Sequence, residues 1–140
     1  MTLKEASEIY YIKIEIGQVE REIEELESKR QFYMSNVVSD MPKAKGRRKD
    51  LAADYMARHE ALYNLLGCYM MRLQQKTEEF ETFLSSVDDK EMQVILRYRC
   101  IFNLSWSEIG DACGMDRRTA SRKYYAFFKS EMKLAHNAHT

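Results

Sequence analysis

Ser105-Trp106-Ser107-Glu108-Ile109-Gly110, continuing through Cys113-Gly114-Met115 into Asp116-Arg117-Arg118-Thr119-Ala120-Ser121-Arg122-Lys123, is the stretch whose reading decides the fold. Ser105 and Glu108 are spaced as a capping box, and Asp116 stands where its carboxylate accepts the free amides of a second helix. Between the two helices Gly114 supplies the positive φ of a sharp turn. The stretch predicts a helix-turn-helix, and so makes nucleic acid the first partner to consider. Ile109, Cys113 and Met115 are read as facing a core, with Ala120 and Tyr124 anchoring the second helix. Gly110 is small because two steeply crossing helices must come close there. Arg117, Arg118, Ser121, Arg122 and Tyr125 remain for the outer surface.

Working toward the N-terminus, Asp88 is read as the cap of a supporting helix whose apolar side carries Met92, Val94, Ile95, Tyr98 and Ile101. Asn103 ends it, as one of the few residues besides glycine that tolerate a left-handed conformation. Further upstream, Ile9, Ile12, Ile16, Val19, Ile23 and Leu26 alternate three and four apart, with Tyr33 continuing the pattern after Arg30, which is a coiled-coil seam. Leu51, Tyr55, Leu62, Leu66, Tyr69, Leu73, Phe80 and Phe83 mark a second long helix starting near Asp50, with Met56, Met70 and Met71 assigned to its packed side.

Between these helices, residues 36–49 hold the only proline and the basic run Lys43 to Lys49, read as an exposed connection. That run clamps phosphates, meets an acidic partner or keeps a loop soluble. Residues 1–87 are therefore expected to form a helical hairpin and oligomerisation region, and residues 88–135 a three-helix module. The fold class is all-α. Helices some 40–50 Å long suit pairing with a second copy, as a homo-oligomer, most simply a dimer.

The 140 residues have a formal net charge of zero, so only the distribution of charge argues for nucleic acid. Residues 1–30 carry eight acidic and five basic side chains, whereas 117–133 carry six basic ones against Glu131 alone. Cys68, Cys100 and Cys113 have no ligand or disulfide spacing and fit a reducing compartment. No apolar run reaches the roughly 20 residues of a bilayer span, and residues 1–5 lack the start of a signal peptide. The expectation is a cytoplasmic protein, without membrane, metal or cofactor. His59, His136 and His139 have no catalytic spacing to Cys or carboxylates, so the chain is not read as an enzyme.

Residues 99–110, Arg-Cys-Ile-Phe-Asn-Leu-Ser-Trp-Ser-Glu-Ile-Gly, followed by Cys113-Gly114-Met115-Asp116 and Arg118-Thr119-Ala120, resemble region 4 of sigma-70-type factors. The likeness covers roughly residues 88–130. Cys100 stands for the usual aromatic, Asn103 for the turn glycine, Gly110 for an alanine and Ala120 for a valine. The same ending after a long charged helical region is found in phage and prophage late-gene regulators of the RinA and ArpU type.

The resemblance implies a sequence-specific transcription regulator binding double-stranded DNA, with a recognition helix over 117–133 in the major groove. Arg117 or Arg118, with Thr119 and Ser121 beside them, would reach base edges, and Tyr125 lies near the same surface. Arg122, Lys123 and Lys129 would meet phosphates. Ser105 and Ser107 hold another phosphate at a helix N-terminus, unless Ser105 only caps its helix. Trp106 is a groove contact or a packing residue. Two rival readings are a DNA-recognition packaging subunit of small-terminase type and a protein-binding module docking on RNA polymerase.

Overall fold

The computed structural model describes residues 1–35 and 42–138, without the side chains of 42–49 and 138. The described residues form α-helices only: α1 (Leu3–Ser28), α2 (Arg30–Met34), α3 (Pro42–Ser85), α4 (Lys90–Cys100), α5 (Trp106–Cys113) and α6 (Arg117–Ala138). None of them is long and apolar enough to cross a membrane. The chain divides into two compact units, residues 14–72 and a second one built from residues 1–13 together with 73–140.

In the 14–72 unit, Ile16, Val19, Ile23 and Leu26 of α1 are buried, as the three-four spacing requires, and Tyr55 of α3 is buried with them. The chain runs back along itself, since Glu27 reaches His59 (3.1 Å) and Tyr33 of α2 packs on Tyr55 (5.8 Å between rings). Glu27 also accepts from the Tyr63 hydroxyl at 3.2 Å, and its charge holds that phenol above the usual tyrosine range. Two expectations fail here. The helix begins at Pro42 rather than near Asp50, because proline is suited to the first helical turn, where its missing N–H costs nothing. Residues 36–41 and the side chains of the basic run Lys43 to Lys49 lie outside the described residues. Met56, Met70 and Met71 are exposed (61%, 52% and 74%), because they fall beside the line through Tyr55, Leu62, Leu66 and Tyr69 rather than on it.

The other unit holds the large core. Ala6 and Ile9 from the start of α1, Phe80 and Leu84 from the end of α3, and side chains of α4, α5 and α6 form one buried cluster. Lys76 of α3 meets Glu8 of α1 at 3.0 Å, and the charge pair holds the lysine pKa up. Lys13 donates to the Ile101 carbonyl at the end of α4, where a cation complements the helix dipole.

α4 is capped by Asp89, not Asp88: its carboxylate accepts from the amides of Glu91 (3.0 Å) and Met92 (3.4 Å). Starting there sets the face on which Met92, Ile95, Leu96 and Cys100 are buried, while Val94 is left 44% exposed, contrary to expectation. Gln93 closes the end of α3 by donating to the carbonyls of Leu84 (3.0 Å) and Val87 (2.6 Å). Across α3 and α4, Arg97 and Glu81 form a two-stranded ion pair, with Nη2 to Oε2 at 2.9 Å.

Candidate functional site

The site is built outward from the end of α4. Asn103 adopts φ +57°, and its amide donates to the Arg99 (3.3 Å) and Cys100 (3.4 Å) carbonyls, so the left-handed stop expected of it is present and held by its own side chain. Leu104 then turns back, its amide bonded to the Tyr98 carbonyl at 3.0 Å and its carbonyl to the Arg99 guanidinium at 2.9 Å. Ser105 accepts from the Glu108 amide at 3.2 Å and starts α5.

α5 ends at Gly114, φ +68°. Gly110 lies buried against the turn: a Cβ there would stand 2.6 Å from the Met115 carbonyl oxygen and 3.2 Å from the Arg117 nitrogen. Close approach of backbone to backbone is thus the reason for glycine at this position. Asp116 accepts from the Arg118 amide at 3.4 Å and opens α6. Ile109 and Ala120 are wholly buried and Tyr124 nearly so, which fixes the angle between the two helices.

α5 and α6 thereby bring their N-termini to the two sides of one open concavity of about 570 Å³, lined by Ser105, Trp106, Ser107, Arg117, Arg118, Ser121 and Arg122. Apart from Trp106, all of these were expected as site residues from the sequence, and the fold gathers them. Two helix N-termini contribute partial positive charge beside three guanidiniums. Among the described residues, Arg117, Arg118 and Arg122 form no ion pair, so their charge is available to an anion. Arg118, Arg122, Tyr125 and Lys129 follow one another at intervals of four, three and four, which aligns them along the exposed side of α6 over about 16 Å.

Four expected residues, Thr119, Lys123, Tyr125 and Lys129, sit outside the concavity. Thr119 is exposed on α6, and Lys129 lies two turns beyond Arg122. Lys123 is turned to α4, where it pairs with Glu91; the carboxylate raises the lysine pKa. Any role for Lys123 on a phosphate requires that pair to open. Tyr125 is 47% exposed and has one face near the Trp106 ring, 6.0 Å between centroids.

Trp106 is the residue the sequence left open between groove and packing. It packs edge-on to Tyr124 at 5.0 Å, and the Arg99 guanidinium lies over its ring at 4.3 Å. Its remaining surface belongs to the concavity, so it serves both as a wall and as the brace that spaces α5 from α6. The sequence contained the signal in Arg99 and Tyr124, but only the fold brings them to Trp106. Beneath, the Cys100 thiol lies 3.5 Å from the Tyr124 hydroxyl, and burial pushes its pKa up to about 11. Burial likewise holds the Tyr124 phenol well above the ordinary tyrosine value.

Among the described residues no group of His, Cys, Asp and Glu is placed to hold a metal ion. The chain matches no known family model, no curated protein and no solved structure.

Proposed function

We propose that this protein is a sequence-specific regulator of transcription that binds double-stranded DNA, of the phage and prophage late-gene type that its last third resembles. In this reading α5, the Gly114 turn and α6 are a helix-turn-helix, and α6 is the recognition helix. The observation that carries it is the convergence of Arg117, Arg118, Ser121 and Arg122 with the start of α5 around a single exposed, unneutralised basic concavity.

The two ends of that concavity have different work. Arg117 and Arg118, in the first turn of α6, enter the major groove, where one bidentate contact to guanine contributes about 1–3 kcal/mol of discrimination. Ser105 and Ser107, at the start of α5, meet a backbone phosphate and set the register without reading sequence. Arg122 and Lys129, farther along the exposed line of α6, meet the phosphates flanking the groove. Around them the aromatic brace of Trp106, Tyr124 and Tyr125 holds the two helices at a constant spacing.

Selection from a pool of random duplex DNA at two salt concentrations tests the reading. One enriched sequence is expected, bound with a log–log salt slope of about −2 per chain for the two cationic phosphate contacts of Arg122 and Lys129. Replacing Arg117 and Arg118 by alanine is expected to abolish the enrichment while leaving helicity unchanged. Weak binding that is blind to sequence would sink the proposal, and retention on RNA polymerase without DNA would favour the protein-docking alternative.

A further inference from the structure

The sequence leaves open whether the Ile9-to-Leu26 seam pairs within one chain or between copies; those side chains are buried within one chain, so an interface between copies lies elsewhere. The 14–72 unit shows where. It consists of helices packed in a single layer, and none of its residues belongs to the large core cluster. A pair of helices buries only one stripe of each, which is little for a unit of this length.

α3 carries the complementary evidence. From Ala61 to Met71 it has no charged residue on any side, a composition expected of a helix covered all round. Yet Met56, Tyr63, Met70 and Met71 are 61%, 48%, 52% and 74% exposed. Met56, Tyr63, Gly67 and Met70 follow at intervals of seven, four and three, and so form one line beside the buried one. A side chain at Gly67 would meet nothing within 4 Å inside the chain, so nothing within a single copy calls for glycine at this mid-helix position.

We infer that this face of α3 docks on the same face of a second copy of the chain across a two-fold axis, so that two 14–72 units close into a four-helix bundle. From Ala61 to Met71 this face carries no charge and so matches itself, with exposed Glu60 on the same line just before it, and a chain of zero net charge does not repel its copy. Taking about 200 Å² for each of the four large side chains when fully exposed, two such faces remove on the order of 1,000 Å² from water, at the threshold for a specific interface. Gly67 at the crossing lets the two backbones approach. The inference stands apart from the DNA reading, because it is tested without DNA.

Sedimentation equilibrium of the full chain is expected to give twice the 16.6 kDa of one copy. Tyr63→Glu together with Met70→Glu is expected to give the single-chain mass. Gly67→Ala, which improves the isolated helix, is expected to raise the dimer dissociation constant about tenfold. Should the double variant fail to fold, cross-linking replaces it: with Cys68→Ser and Cys113→Ala as background, a short bismaleimide joins two copies through Met70→Cys but not through Ala61→Cys. A single-chain mass for the unaltered protein, a dimer indifferent to the paired glutamates, or equal cross-linking at both cysteines overturns the inference.

Discussion

Replacing Gly110 by alanine tests the turn on which the candidate site depends. The added methyl would lie 2.6 Å from the Met115 carbonyl oxygen and 3.2 Å from the Arg117 nitrogen, both backbone atoms that no rotamer change can move aside. The same turn is held by hydrogen bonds from the Gly114 and Met115 amides to the Gly110 carbonyl, the second at 2.9 Å, so it cannot shift without weakening them. Overpacking of this kind costs about 1–3 kcal/mol, here near the upper end, and the better helix propensity of alanine returns about 1 kcal/mol. A net loss of about 2 kcal/mol is expected, a fall of roughly 6–8 °C in Tm for a chain of this size.

Gly17→Ala is the control, since a Cβ there meets nothing within 4 Å; it is expected to leave stability unchanged or raise it by up to about 1 kcal/mol. Thermal and urea unfolding followed by far-UV circular dichroism measure both. The resemblance makes the test sharp, because sigma region 4 carries alanine at the position of Gly110. If Gly110→Ala proves as stable as the parent, the helices cross at a wider spacing than described and the argument for the concavity fails.

Other perturbations separate the roles of neighbouring groups. Glu91→Gln releases Lys123 and is expected to steepen the salt dependence of DNA binding by about one phosphate contact, read from titrations at several salt concentrations; an unchanged slope would show that Lys123 stays off the DNA. Trp106→Ala removes the contacts to Tyr124, Tyr125 and Arg99 and is expected to cost about 2 kcal/mol in urea unfolding, with Trp106→Phe milder. Stability is expected to fall between about pH 9 and 11, because the buried Cys100 thiol is neutral in the fold and its pKa is raised from 9.0 to about 11. A raised value for such a group means that its contribution is complete below the unfolded pKa and lost as pH climbs through the folded one, an effect of order 2 kcal/mol. Tyr124 acts in the same direction, and Cys100→Val should flatten the decline.

Much of the local structure was legible because it rests on neighbours in sequence. The Ser105 cap, the left-handed Asn103 and Gly114, and the buried line from Ile9 to Leu26 depend on side-chain type and on the 3.6-residue period, and each is found. The errors fell where two readings of that period compete. Asp88 and Asp89 are equally good caps, and only the burial of Leu96 and Cys100 selects Asp89. Met56, Met70 and Met71 are apolar and close to the stripe, but half a turn decides between packing and exposure. At the C-terminus, α6 continues to Ala138, because His, Asn and Ala there interrupt nothing. Of the candidate site, the basic residues of α6 could be named from charge and spacing. The pairing of Lys123 with Glu91 could not, since the two stand 32 positions apart.

By itself the sequence determined that the chain is helical, where its caps and turns fall, and which side of each helix is apolar, since all three follow from propensity and period. Tertiary structure alone decided that Ala6 and Ile9 complete the core beneath α4, α5 and α6, that Trp106 is held between Arg99 and Tyr124, and that three arginines and the start of α5 share one concavity. It decided too that the long seam is satisfied within one chain. The reason is physical: periodicity says which face must be buried, but not which of the many apolar faces within reach will bury it.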